Sequence, residues 1–279
     1  MQPYVVAHRG ARGHAPENTL AAARLAHQEK AWMWELDTTY TRDGHLVVIH
    51  DDTLERTTDV ASRPEFADRK PWKAHDFSLR EIRSLDAGSW FPDKDPFGTV
   101  AAGEVSAAMA EAYKGEKIPT LEEALRLTRD LGWRVNVEIK DQEGSPWHER
   151  AAGEVCALVA RLGMADAVLL SSFQHRYLRE AASLLPDTPR GALVEGSRPQ
   201  DAAALCAEAR AAFYHPDHKL LSPEDMPVLR EAAVAVNVWT VNTPEDMRRA
   251  IALGVHGIIT DFPKRLCGLL EQITLEIVV

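Results

Sequence analysis

Short apolar runs alternate with amphipathic stretches from one end of the chain to the other, and this rhythm limits its possible folds more than any other feature. The apolar runs read as strands at Tyr4–Ala7, Met33–Asp37, Leu46–His50, Arg134–Lys140, Ala167–Ser171, Gly191–Glu195, Ala212–His215, Ala235–Val241 and Gly257–Asp261. The stretches between them carry helix punctuation. Thr120-Leu-Glu-Glu123 is a capping box. Ser222-Pro223 and Thr243-Pro244 each place an N-cap before a proline at the first helical position. Three helices stop at Leu-Gly, where Gly132, Gly163 and Gly254 are free to take the left-handed conformation, and a strand follows each time. Strand, helix and strand in repetition imply a parallel sheet.

Every strand is followed by a helix except Met33–Asp37, which runs through Thr41-Arg-Asp-Gly44 into Leu46–His50. Asp-Gly between extended segments signals a hairpin. A two-residue turn at Asp43-Gly44 would set Asp37 opposite His50. With the return arm set aside, eight β/α units remain, the last helix beginning after Pro263. The expected fold class is α/β: a TIM (β/α)8 barrel over residues 1–279, with a β-hairpin and a small insertion after strand two. That insertion, residues 52–118, breaks the rhythm with Pro64, Pro71, Pro92 and Pro96, a helical piece at Ser78–Leu85 and an alanine-rich stretch around Val105–Tyr113. A structureless loop of this length does not suit a compact domain, so it reads as a cap on the barrel. The tail Leu270–Val279 is apolar and reads as β-rich, packing on the barrel or on a neighbouring subunit.

In such barrels the strand C-termini carry the chemistry. Strand one ends in His8-Arg9-Gly10, strand two in Glu35-Leu-Asp37, and the next barrel strand in Glu138-Ile-Lys140. The i, i+2 spacing points both members of each pair to one face. Three converging carboxylates repel one another unless a cation sits among them. Oxygen ligands without cysteine favour a hard divalent ion, Mg²⁺ or Ca²⁺ with Mn²⁺ also suitable, on Glu35, Asp37 and Glu138. A simple Glu138–Lys140 ion pair is the plainer alternative. A cation flanked by Arg9 and Lys140 suits a phosphate group. His8 and His50, on opposite flanks, can supply a general acid and a general base. His148, His175 and His215 are expected in helix-capping or solvent-facing roles.

The formal net charge is −10, with 32 Lys plus Arg against 42 Asp plus Glu. Such a chain is a poor partner for nucleic acid or anionic membranes, so a basic site for an anion must be local. Cys156, Cys206 and Cys267 have no metal-ligand spacing and read as reduced thiols on helices. With no span of eighteen apolar residues and no export signal at its start, the chain is expected to be soluble and cytoplasmic, without stable membrane insertion. Oligomeric state is not legible.

These residues resemble the glycerophosphodiester phosphodiesterases. The matching stretches are His8-Arg-Gly-Ala-Arg-Gly-His-Ala-Pro-Glu-Asn-Thr19, Glu35-Leu-Asp-Thr-Thr-Tyr-Thr-Arg-Asp-Gly44, Val48-Ile-His-Asp-Asp-Thr-Leu-Glu-Arg-Thr-Thr58, Leu85-Asp-Ala-Gly-Ser-Trp90, Ile118-Pro-Thr-Leu-Glu-Glu-Ala124 and Val137-Glu-Ile-Lys140. Echoes follow at Ser171-Ser-Phe173, Val238-Trp-Thr-Val-Asn242 and Thr260-Asp-Phe-Pro263. The segment Phe91–Gly115 is longer than the family pattern. The resemblance implies a TIM barrel, one divalent cation on the three carboxylates, His8 and His50 as the acid/base pair, and phosphate contacts from Arg9 and Lys140. It also implies that Phe173 and Trp239 line the glycerol and leaving-group side. The expected reaction is hydrolysis of a small glycerophosphodiester to glycerol 3-phosphate and an alcohol, through attack by the neighbouring glycerol hydroxyl and a cyclic phosphate that water opens. A related barrel cleaving lysophospholipids is the nearest rival. A sugar isomerase or aldolase using Lys140, and a non-catalytic phosphate-binding module, are more distant ones.

Overall fold

The computed structural model describes residues 2–278, with side chains to residue 275. In chain order the elements are β1 (Tyr4–Ala7), α1 (Leu20–Gln28), β2 (Met33–Tyr40), β3 (Leu46–Val48), α2 (Leu79–Ser84), α3 (Trp90–Lys94), α4 (Ala107–Tyr113), α5 (Leu121–Asp130) and β4 (Val135–Ile139). There follow α6 (Ala151–Arg161), β5 (Val168–Ser172), α7 (His175–Leu184), β6 (Arg190–Val194), α8 (Ala202–Ala209), β7 (Phe213–Pro216), α9 (Asp225–Glu231), β8 (Ala235–Val238), α10 (Pro244–Leu253), β9 (Gly257–Thr260) and α11 (Pro263–Val278). Eight parallel strands run β1-β9-β8-β7-β6-β5-β4-β2, and pairing of β1 with β2 closes the barrel, with helices between successive strands. The chain is a TIM (β/α)8 barrel.

The helix signals behave as their chemistry requires. Thr120 and Glu123 form both halves of the capping box on α5, and Thr243 caps α10 with Pro244 at its first position. Gly132, Gly163 and Gly254 all have positive φ. The Ser222-Pro223 start is displaced. Ser222 N–H donates to Asp225 Oδ2 at 2.9 Å, and this turn precedes α9, which begins at Asp225 itself. Outward-facing apolar residues such as Trp34, Leu36, Val137 and Leu170 pack under the helices. The barrel interior is partly polar. The His215 ring lies where a side chain on Gly191 would begin, 2.5 Å from an ideal Cβ, so only glycine leaves room for it. Asn237 and Tyr4 crowd Gly257 in the same way.

The hairpin register differs from expectation by one residue. Thr38 pairs with Val48 and Tyr40 with Leu46, so Asp37 faces Ile49, whose N–H donates to the Asp37 carbonyl. The cause is a longer turn. Gly44 N–H donates to Thr41 O, Thr41 N–H donates to His45 O, and Gly44 (φ 83°) takes the left-handed position of a three-residue loop. After β3 the chain forms short 3₁₀ turns and α2 around a separate apolar cluster containing Val60, Phe66, Trp72, Phe77, Ile82 and Leu85. Then α3, α4 and the segment between them pack Trp90, Phe91, Val105 and Tyr113 against Ala15 and Ala22. The tail is helical rather than extended: α11 continues to Val278, and Leu266, Leu269, Leu270 and Ile273 lie along the face packed on the barrel core. Val279 lies outside the described residues. Cys156, Cys206 and Cys267 are free thiols on α6, α8 and α11. Among the described residues no helix is long and apolar enough to cross a membrane.

Candidate active site

Parallel β2 and β4 run in register with Asp37 beside Glu138, and alternation brings Glu35 to the same inner face. One carboxylate oxygen from each of Glu35, Asp37 and Glu138 lies within 4.8 Å of the other two, and all three residues are buried. Burial, then repulsion by Asp37 and Glu138, drives the Glu35 carboxyl far above its ordinary range. Burial and Asp37 raise Glu138 as well. Burial would raise Asp37 too, but Arg9, His50, Lys140 and the Asn18 amide hold it at about 2. Three buried oxygen donors that push one another towards the neutral state fit a hard cation, which would remove that repulsion. The triad can therefore hold a metal ion.

The two histidines are oriented alike. His8, at the end of β1, pairs Nδ1 with Asp261 Oδ1 at 2.7 Å, and Asn242 Nδ2 donates to the other Asp261 oxygen at 2.7 Å. His50, just after β3, pairs Nδ1 with Asp51 Oδ1 at 2.6 Å. Occupying Nδ1 leaves Nε2 as the nitrogen for proton transfer. Burial and the charge of Arg9 push the His8 pKa below its ordinary 6.5, and Asp261 opposes this. Burial would lift Asp261, yet His8, Arg12 and Asn242 hold it at about 2.

Arg9 lines the cavity and already has carboxylate partners. Its Nη1 donates to Glu17 at 2.8 Å and its Nε lies 3.2 Å from Asp37. Its backbone has φ 53°, a left-handed conformation that costs about 1 kcal/mol or more outside glycine. That conformation aims the Arg9 N–H at Glu35 Oε2, 2.9 Å away. Asn18 (φ 58°) locks the same loop. Its N–H donates to Arg9 O and its side-chain amide donates to Asp37 Oδ2 at 2.8 Å. Lys140 does pair with Glu138, at 3.0 Å, and also reaches Asp37 at 3.9 Å.

A rim cavity of 460 Å³ is lined by His8, Arg9, Glu35, His50, Glu138, Lys140, Phe173 and Trp239 among others. Phe173 and Trp239 meet edge to face at 5.6 Å. Asp37 sits just behind this wall. His175 contacts Leu193 O, and His148 contacts Tyr177 and Arg176, both outside the cavity. His215 departs from expectation: it neither caps a helix nor meets solvent, but is fully buried inside the barrel beside Asn237. Sequence reasoning passed over Glu17, Asn18, Asp51, Arg56, Asn242 and Asp261. Their only signal was their place inside the quoted motifs.

The sequence profile of the Glycerophosphoryl diester phosphodiesterase family matches residues 8–265. A glycerophosphodiester phosphodiesterase of Caldanaerobacter subterraneus is 35% identical over 273 residues, covering 98% of this chain and 99% of the relative. One from Bacillus subtilis is 32% identical, covering 92% and 83%. An Oleispira antarctica phosphodiesterase, solved with the product sn-glycerol-3-phosphate, superposes with a TM-score of 0.81 at 28% identity over 97% of each chain. Fold, rim and these similarities define the class, a (β/α)8-barrel phosphodiesterase. The chain belongs to the glycerophosphoryl diester phosphodiesterase family.

Proposed function

We propose that this chain hydrolyses small glycerophosphodiesters to glycerol 3-phosphate and an alcohol by acid/base catalysis between His8 and His50, at a metal site on Glu35, Asp37 and Glu138. One observation carries the reading: two histidines, each tied through Nδ1 to a carboxylate, face one cavity with a buried carboxylate triad. A divalent cation held there, Mg²⁺ or Ca²⁺ with Mn²⁺ also suitable, would polarise the phosphoryl oxygens. Arg9 and Lys140 bind the phosphate and offset charge developing on it. One histidine takes the proton of the attacking hydroxyl as the new P–O bond forms. The other gives a proton to the leaving alkoxide as its P–O bond breaks. The attacking group is the neighbouring glycerol hydroxyl, giving a cyclic phosphate that water opens. Phe173 and Trp239 form the glycerol and leaving-group wall. Residues 52–118 act as the cap, since Asp52 lines the cavity and Thr99 Oγ1 and Tyr113 Oη bond to the loop after β1.

The aldolase alternative needs an unprotonated amine. Burial would favour that form of Lys140, but Glu138 and Asp37 outweigh it and raise its pKa above the ordinary value. The direct test mixes the protein with glycerophosphocholine, glycerophosphoethanolamine and glycerophosphoglycerol under Mg²⁺, Ca²⁺, Mn²⁺ or EDTA. Metal-dependent release of glycerol 3-phosphate, abolished by EDTA, is expected. Cleavage of lysophospholipid alone would replace this reading with the lipase-type one, and silence on both would leave a phosphate-binding barrel.

A further inference from the structure

The Pro16-Glu17-Asn18-Thr19 stretch contains a buried carboxylate that the mechanism above does not use. Glu17 has a side chain only 3% exposed, lies behind the catalytic cavity, and receives three arginines. Arg9 Nη1 donates to its Oε1 at 2.8 Å and Arg12 Nε to its Oε2 at 2.8 Å. Arg56 grips both oxygens, at 2.7 and 2.8 Å. Each arginine then reaches a different part of the rim. Arg12 Nη1 contacts Asp261, the partner of His8, at 3.4 Å. Arg56 holds Asp51, the partner of His50, through Nε at 2.6 Å and Nη2 at 2.9 Å. Arg9 lies 3.2 Å from Asp37 of the carboxylate triad. The result is an unbroken chain of contacts, His8–Asp261–Arg12–Glu17–Arg56–Asp51–His50, between groups 42 sequence positions apart at its ends and joined at one carboxylate.

We propose that Glu17 is a positioning residue that sets both histidines at once, acting on His8 through Arg12 and on His50 through Arg56. The inference rests on the acid/base reading of those histidines. The physical reason is charge. Three guanidinium groups converge on one point, and Glu17 is the one carboxylate that all three share there. Arg12 and Arg56 are 22% and 38% exposed in their side chains, so without Glu17 both can swing outward into water. Asp261 and Asp51 would then each lose an arginine, and each imidazole would lose its fixed angle.

Glu17→Gln keeps the shape and removes the charge. It is expected to lower kcat by about 10²-fold, the scale of a misplaced catalytic group, a larger effect than any change in KM. Both limbs of the pH–kcat profile should move. Arg12→Lys and Arg56→Lys should each move one limb, a different one in each case, and the double variant should reproduce Glu17→Gln. A folded Glu17→Gln with unchanged kcat overturns the proposal. So does a loss of activity or Tm with both limbs unmoved, which is the signature of a purely structural ion cluster. If Glu17→Gln does not fold, the two arginine variants carry the test, and unmoved limbs in both overturn it. Imidazole NMR of ¹⁵N-histidine-labelled protein separates this failure from failure of the catalytic reading. Resonances of both His8 and His50 should shift in Glu17→Gln whether or not either residue proves catalytic, and a shift of only one or neither overturns the coupling.

Discussion

The rim of the barrel and the interior just beneath it both carry histidine, half-buried at the rim and fully buried in the interior. At the rim, His8 and His50 each hold a carboxylate on Nδ1, at 2.7 and 2.6 Å. In the interior, His215 has no charged neighbour; Asn237 Nδ2 lies 3.0 Å from its Nε2, and its Nδ1 has no partner among the described residues. Burial alone pushes the His215 pKa down to about 3, so it is a neutral space-filler at working pH. The contrast teaches that burial and a strand address do not make a catalytic histidine. What sets the rim pair apart is the carboxylate behind each ring, the adjacent Asp51 for His50 and Asp261, 253 positions away, for His8.

The largest effects should separate these regions most cleanly. His8→Ala and His50→Ala are each expected to lower kcat by roughly 10²–10⁴ in glycerol 3-phosphate release. His215→Gln should leave kcat unchanged. Full activity in both rim variants would dissolve the distinction. Next come the carboxylates. Asp261 is 3% exposed and Asp51 is 26%, so water can stand in for Asp51 more readily. Asp261→Asn should therefore cost about 10²-fold in kcat and Asp51→Asn about tenfold. Asp261 raises the His8 pKa, so Asp261→Asn should also move the His8 imidazole titration, followed by NMR, to lower pH. A move upward would show that another group governs His8.

Smaller effects concern stability. His215 takes up a proton near pH 3 when folded but near its ordinary 6.5 when unfolded, so the unfolded chain protonates first as pH falls. Its contribution is intact above about pH 6.5 and is lost progressively towards pH 3. Urea midpoints at pH 7, 5 and 4 should show a shallower decline for His215→Gln than for the parent. Gly191→Ala should cost about 1–3 kcal/mol at any pH, because its Cβ would meet the His215 ring. An unchanged urea midpoint would show that the ring has room to move.

The barrel was legible because its signals are local and repeated: Leu-Gly stops, N-caps before proline, and apolar runs of strand length between amphipathic stretches. The hairpin register was not, because Asp-Gly at a tip serves both a two-residue turn and the three-residue loop seen here. The tail misled through Ile273, Thr274 and Ile277-Val278, whose β-branched character outweighed a clearer cue. Leu266, Leu269, Leu270 and Ile273 recur at helical spacing. At the site, the strand-end residues were readable from alternation alone. The supports were not: Asp261 lies 253 positions from His8, and the left-handed Arg9 is a residue that no propensity would place there.

The strap of β3 ties the neck of the long excursion that follows it. Val47 bridges to Thr120 and the Val48 N–H donates to Pro119 O at 2.9 Å, so the chain leaves and rejoins the barrel at neighbouring points. A loop closed at its neck tolerates changes in length cheaply, about 0.6 kcal/mol for each doubling. His50, Asp51 and Arg56 all lie close after that neck, and Ile49 and Leu54 beside them are already part of the apolar cluster of the excursion. Length can thus be added to the outer part of the excursion at small entropic cost while its neck stays knotted to the barrel.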